Sequence, residues 1–313
     1  MTDKEYIYNR RNIVETNGNI RFVTRLSEEY PTKLRNIPSK PKGLYVLGKL
    51  PDEKIPSIAM IGARVCSEYG KRMARWFGSE CGKAGVQVIS GMARGIDSIS
   101  QQAAVEAGGS SFAVLGCGVD VCYPREQAEL YRKLQEKGGI ISEYEPGSPP
   151  LAQQFPARNR IISGLADALL VIEAKEKSGT SITVDMALEQ GRDVFVIPGR
   201  VTDALSVGCN RLMKQGAGCV LSPEELLAEL NQIRGFLTIN KSGKEKANFK
   251  KNNFVLDKQE NMVYASIDLY ARNLEEIVGM VQLPVSELVH ILLSLELKGL
   301  IKETGKNFYV RSE

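Results

Sequence analysis

From Ser57 onward the chain alternates between short apolar runs and helix-length segments, and this alternation constrains the fold more than any other feature. Strand-length runs fall at Ser57–Ile61, Val86–Ile89, Ser111–Leu115, Gly139–Ser142, Ala168–Ile172 and Asp193–Ile197. Helix-length segments lie between and after them, at Glu68–Ala84, Asp97–Ala107, Arg125–Lys137, Ser181–Gln190 and Pro223–Leu230. Strands apolar on both faces and separated by helices predict an α/β fold, a doubly wound parallel sheet covered on both sides. Ser67 and Ser222 are placed to cap helices. Pro124 and Pro223 stand where a first helical turn tolerates proline.

The 313 residues accommodate such a domain and a smaller companion. Residues 1–56 read as an N-terminal extension packing on the core; its part from 30 to 56 is proline-rich, with one strand-like piece at Leu44–Leu47. Residues 57–239 hold the alternation. Residues 240–254 read as a basic linker, with five lysines against one glutamate between 241 and 254. From 255 to 313, helical spacing at Asp257–Ser266, Asn273–Met280 and Ser286–Gly299 precedes a hairpin-like stretch with Gly305 at its turn. Three short helices and a two-stranded wing make a winged helix-turn-helix. Its last helix carries no basic residue before Lys298, and residues 255–313 hold six basic against nine acidic groups. A helix so charged is ill suited to a phosphate-lined groove. This domain is therefore expected to contact protein, which also argues against a winged-helix transcription regulator.

Composition removes several function classes. No apolar run reaches the roughly 18 residues of a membrane span, and the first eleven residues have no apolar core of a secretory signal, so a cytoplasmic location is expected. The six cysteines, at 66, 81, 117, 122, 209 and 219, form no C-x-x-C pair, and the one histidine is His290. Buried free thiols are expected, with no metal site. There is no nucleophile–base pair, no G-x-x-x-x-G-K-[ST] loop, and Gly116–Asp120 is no dinucleotide fingerprint. No cofactor and no catalysis are expected.

Three loops follow strands and open helices. The first is Gly62-Ala63-Arg64, where a glycine permits close backbone approach and an arginine can fork onto a phosphate. The second is Ser90–Gly95, with Ser90, Gly91, Arg94 and Gly95. The third runs from Lys175 to Ser178, Gly179 and Thr180. In an open α/β sheet these loops share one carboxyl edge, where helix N-termini and topological switch points bind phosphate. A fourth feature is Arg158-Asn159-Arg160, ahead of an apolar helix; the arginines either clamp a phosphate or pair with Glu143, Glu145 or Glu173.

Together these residues resemble the DNA-processing protein A family, DprA or Smf. The resemblance is carried by 61–74, 88–109, 113–126, 141–150, 155–199 and 206–217, which span 58 to about 220 nearly without gaps; the winged helix is similar to the family's optional last domain. It implies an extended Rossmann fold that forms a homodimer and a cytoplasmic protein that binds single-stranded DNA. It further implies protection of incoming DNA during natural transformation and help in loading the RecA recombinase. Carried over by motif, Arg64 matches the Gly-x-Arg arginine, Arg94 the Ser-Gly-x-Ala-Arg-Gly arginine, and Arg158, Asn159 and Arg160 the Arg-Asn-Arg element. Lys175 stands in the segment before Ser178-Gly179-Thr180. Two departures stand out: the run after Gly-Ile-Asp is SISQQ, where many members have a histidine, and only about 55 residues precede the sheet, where many carry a helical domain.

The alternative is a nucleotide phosphoribohydrolase of the lysine-decarboxylase-like group. Those enzymes carry a Pro-Gly-Gly-x-Gly-Thr-x-x-Glu element, and here the glutamate position is Thr183. The carboxylate that glycosidic chemistry needs is missing.

Overall fold

The computed structural model describes residues 19–235, 256–268 and 270–312. The proposed linker at 240–254 and residues 1–18 of the extension lie outside the described residues, the linker entirely so. Residues 19–66 with 73–235 form one compact unit, and 256–268 and 270–312 with 67–72 the other.

The first unit is built on nine strands: β1 Arg21–Thr24, β2 Gly43–Gly48, β3 Ser57–Ile61, β4 Gln87–Ser90, β5 Ser111–Leu115, β6 Gly139–Ser142, β7 Ala168–Val171, β8 Asp193–Val196 and β9 Gly218–Cys219. Its helices are α1 Thr32–Arg35, α2 Glu68–Lys83 (of which 73–83 belong to this unit), α3 Ile96–Glu106, α4 Ala128–Lys137, α5 Gln154–Leu165, α6 Gly179–Glu189, α7 Val207–Lys214 and α8 Pro223–Ile233. The strand order is β1-β2-β6-β5-β4-β3-β7-β8-β9. From β6 to β9 every pairing is parallel, whereas β2 meets both β1 and β6 antiparallel. The extension thus does more than lie against the core: two of its segments are strands of the sheet.

All residues of β3 through β7 are buried, as both-face coverage requires. Alternate side chains serve opposite layers. Val114 and Ile141 join the core under α1, α5 and α6, while Ala113, Leu115 and Ile140 join the core under α3 and α4. The caps read from sequence form, with Ser67 Oγ accepting from Gly70 N and Ser222 Oγ from Glu225 N. Among the described residues no single helix is long and apolar enough to cross a membrane. Cys81, Cys117, Cys122 and Cys209 are buried free thiols, Cys66 is half-buried and Cys219 is exposed.

The position of β3 matters for function. Chain from β3 runs outward to β4, β5 and β6, then returns across the sheet to β7 on the other side of β3. The carboxyl ends of β3 and β7 therefore flank the topological switch point, where open α/β sheets leave a crevice.

The second unit has α9 Lys258–Ser266, β10 Arg272–Asn273, α10 Leu274–Val281, α11 Val285–Leu297, β11 Ile301–Gly305 and β12 Phe308–Arg311. Its strands order as β10-β12-β11, all antiparallel, a winged helix. Asp257 and Glu260 form a reciprocal capping box on α9. The wing turn differs from the sequence reading. Gly305 ends β11, and Asn307 takes the left-handed conformation at φ 64°. Asparagine adopts that region at lower cost than most residues.

Candidate nucleic-acid interface

At the switch point a cavity of about 490 Å³ opens between the loops after β3 and β7 and the start of α5. Its charged lining is Arg64, Arg158 and Lys175 against the single carboxylate Asp97. Of the thirteen residues singled out in sequence, Gly62, Arg64, Arg158, Asn159, Lys175, Ser178, Gly179 and Thr180 line it. Ser90, Gly91, Arg94, Gly95 and Arg160 do not. Two other cavities, of about 600 and 680 Å³, lie by β8 and by α3 and α4, away from these loops.

The first loop is held by close backbone contact. A Cβ on Gly62 would come within 2.9 Å of Glu173 O and 2.7 Å of Ile96 Cγ1, so only glycine fits. Ala63 N donates to Glu173 O at 2.9 Å. Beyond it Arg64 is exposed, its guanidinium 5.8 Å from the Phe155 ring centroid, within reach of a cation–π contact. Phe155 in turn packs on Tyr123, with centroids 5.4 Å apart.

The third loop leaves β7 and reaches α6. Lys175 is exposed and has no ion-pair partner among the described residues. Ser178 stands at the N-cap of α6, yet its hydroxyl caps nothing; Oγ is buried without a partner. Gly179 and Thr180 supply the first turn of this helix, whose unpaired N–H groups face an anion favourably. Thr183, buried, lines the cavity where the hydrolase element has its glutamate.

The second loop reaches the cavity wall only through Ala93 and otherwise serves as a strut. Ser90 Oγ donates to Met60 O at 2.6 Å, Gly91 N to Asp97 Oδ2 at 3.2 Å, and Met92 N to Gln101 Oε1 at 3.0 Å. Gln101, in the run without the histidine, also donates to Ser111 Oγ and Phe112 O, so it is spent inside the fold. Gly95 takes φ 76°, and a Cβ there would meet Ala63 O at 2.3 Å and Arg64 O at 2.6 Å. Arg94 extends outside the cavity to an exposed ion pair with Glu126. The hydrogen bond from Arg94 holds the Glu126 carboxyl below its ordinary range.

The Arg158-Asn159-Arg160 run, expected ahead of a helix, lies inside α5. Two residues advance a helix by about 200°, so the two arginines face apart. Arg158 points inward. It is buried, and its Nη1 donates to Gly91 O at 3.0 Å and to Val114 O. Burial pushes its guanidinium down to about 10, partly offset by the Asp97 charge. Burial likewise pushes the Asp97 carboxyl up, against the charge of Arg158 and the Gly91 N–H. Arg160 turns outward, donating to Glu143 at 2.6 and 2.8 Å and to Ser39 O at 2.7 Å. Of the two sequence readings for this run, pairing with Glu143 is what Arg160 does.

The geometry leaves two exposed cations, Arg64 and Lys175, on one crevice that an aromatic ring and an uncapped helix start also line. The family model described as DNA recombination-mediator protein A matches residues 21–231, and the DprA winged helix domain matches 250–305. The chain belongs to the DprA family. It is 39% identical to Protein Smf of Escherichia coli (strain K12) over 282 residues, covering 88% of this chain and 73% of that one. The crystal structure of DprA from Streptococcus pneumoniae superposes with a TM-score of 0.64 at 37% identity, covering 73% of this chain and 78% of the other. DprA from Helicobacter pylori, whose structure concerns its unique single-stranded DNA binding mode, superposes with a TM-score of 0.61 at 26% identity, covering 70% and 97%.

Sequence reasoning left several lining residues out of the DprA cavity. Leu205 lines it through the tertiary fold alone, while Asp97 and Thr183 lie just past the second and third loops. Phe155, which the sequence offers as a candidate stacking aromatic, does line it.

Proposed function

We propose that this chain binds single-stranded DNA at the switch-point cavity, taking successive backbone phosphates on Arg64, Lys175 and the N-terminus of α6. The observation that carries the reading is a pair of exposed cations, without an ion-pair partner among the described residues, on the cavity that the α6 start also lines, where the Ser178 hydroxyl is buried and unpartnered. An anion there would satisfy donors that the fold leaves open. Gly62 lets the backbone approach, and Asn159 adds an amide to the wall. Phe155, flanked by Arg64, offers a stacking surface that tolerates any base.

In this reading Arg94, Arg158 and Arg160 do other work, which their contacts support. Arg158 braces the second loop, with Ser90, Gly91 and Gly95 as its spacers and anchors. Arg160 ties α5 to Glu143, and Arg94 stands beyond the cavity. The reading extends to the family role: a cytoplasmic, homodimeric recombination mediator that shields incoming DNA during natural transformation and helps load RecA, without catalysis of its own. Two cavities in a dimer would bridge one strand and raise apparent affinity through effective concentration. The winged helix serves protein contact in this scheme. Its α11 exposes Val285, Val289, Leu293 and Leu297 at four-residue spacing, an apolar stripe without a cation.

Fluorescence anisotropy with labelled single-stranded and duplex oligonucleotides tests the reading. A clear single-strand preference is expected, with log affinity falling against log salt at about −0.7 per phosphate contact. Equal binding of both forms, or none, removes it.

A further inference from the structure

We propose that Gly208, in the first turn of α7, is a positioning residue that sets the Lys175 ammonium at the cavity, a role that rests on the single-strand reading above. The segment 206–217 is among those that carry the family resemblance, yet none of its side chains lines the cavity. What it touches instead is the backbone on either side of Lys175. Ala174 N donates to Leu205 O at 2.8 Å, and Gly208 N donates to Ala174 O at 2.9 Å. One turn further along α7, Arg211 pairs with Glu176. Lys175 is thus bracketed by two residues, each tied to the same element.

Gly208 fits this clamp without slack. It is buried, and a Cβ there would stand 2.6 Å from Ala174 O and 2.7 Å from Lys175 O. Both obstacles are backbone atoms, so even alanine must push the 174–175 segment away from α7. Lys175 has no ion-pair partner among the described residues to hold its side chain, so the backbone sets where the ammonium starts. Moving that origin moves a charge relative to Arg64 and the α6 N-terminus. A strand whose phosphates span all three then loses one contact.

A double-mutant cycle on the full-length chain tests this, reading affinity for a labelled single-stranded oligonucleotide over a salt series. Lys175→Ala is expected to weaken binding about fivefold and flatten the log–log slope by about 0.7, one phosphate contact. Gly208→Ala is expected to do the same, and to add less than about twofold in the Lys175→Ala background. A merely structural effect lowers the active fraction and leaves the slope unchanged. Arg211→Ala keeps the proposal testable should Gly208→Ala fail to fold. It removes the Glu176 tether without adding bulk; whatever acts through Lys175 vanishes in the Lys175→Ala background, whereas a direct charge effect persists. Independent, multiplying effects of Gly208→Ala and Lys175→Ala, or of Arg211→Ala and Lys175→Ala, would overturn the positioning role. So would a Lys175→Ala variant that binds like wild type. Absence of single-strand preference in the wild type is a different failure, that of the underlying reading.

Discussion

Two loops of this protein look alike in sequence and behave differently in the fold. Gly62-Ala63-Arg64 and Ser90–Gly95 both follow a buried strand, both pair glycine with arginine, and both open a helix. In the first, the glycine packs against β7's exit and leaves Arg64 exposed on the cavity. In the second, Ser90, Gly91 and Met92 are spent on internal hydrogen bonds, Gly95 is wedged under Arg64, and Arg94 is paired with Glu126 outside. The difference is position relative to the switch point. β3 and β7 flank the crevice, whereas β4 lies one strand further out. A phosphate-loop signature therefore identifies a strand end, and topology decides whether that end meets ligand.

If this contrast is right, damage to the second loop registers as lost stability and damage to the first as lost affinity. The largest effect is expected from Arg158→Met, which strands the Gly91 and Val114 carbonyls and leaves Asp97 buried without its counter-charge. A loss of about 3 kcal/mol is expected. Thermal unfolding would show it as a fall of about 9 °C for a unit of this size. An unchanged melting temperature would make Arg158 a ligand group after all. Next comes the Arg64→Ala/Lys175→Ala double variant. Its single-strand affinity should drop about thirtyfold near 0.1 M salt, with the melting temperature held within about 2 °C. Coupled loss of both would blur the division between the loops. The smallest effect belongs to Glu126→Gln. Releasing Arg94 from its ion pair should change single-strand affinity by less than about twofold, because exposed pairs contribute little and Arg94 lies off the cavity. A tenfold gain on titration would place Arg94 on the strand's path.

The sheet was legible because its strands are buried on both faces. Runs such as Ser111–Leu115 and Gly139–Ser142 are short, uninterrupted and flanked by a glycine at one end, and their limits in the structure match the sequence reading. The winged helix was legible from helical spacing; Asp257 and Asn273, where two of those segments begin, cap the helices in the structure. The start of α5 was not. Pro156 suggests a loop, yet it falls in the first turn, where no intrahelical donor is required. Read ahead of the helix, Arg158 and Arg160 shared one pair of alternatives, whereas the helix sends one into the core and the other to Glu143. α7 was missed for a related reason. Eight residues with a glycine near the start carry little helical signal, and its value lies in what Gly208 permits beside it. Pairings such as Arg94 with Glu126, 32 residues apart, leave no local trace at all. The site was readable as three loops, then, but not which of them face the crevice.

The most direct test of this division sets Arg64→Ala beside Arg94→Ala and compares their salt dependence of single-strand binding with that of the wild type. Arg64→Ala should flatten the log–log slope by about 0.7 while Arg94→Ala runs parallel to the wild type. Equal flattening by both variants would contradict the account and make the second loop part of the binding surface.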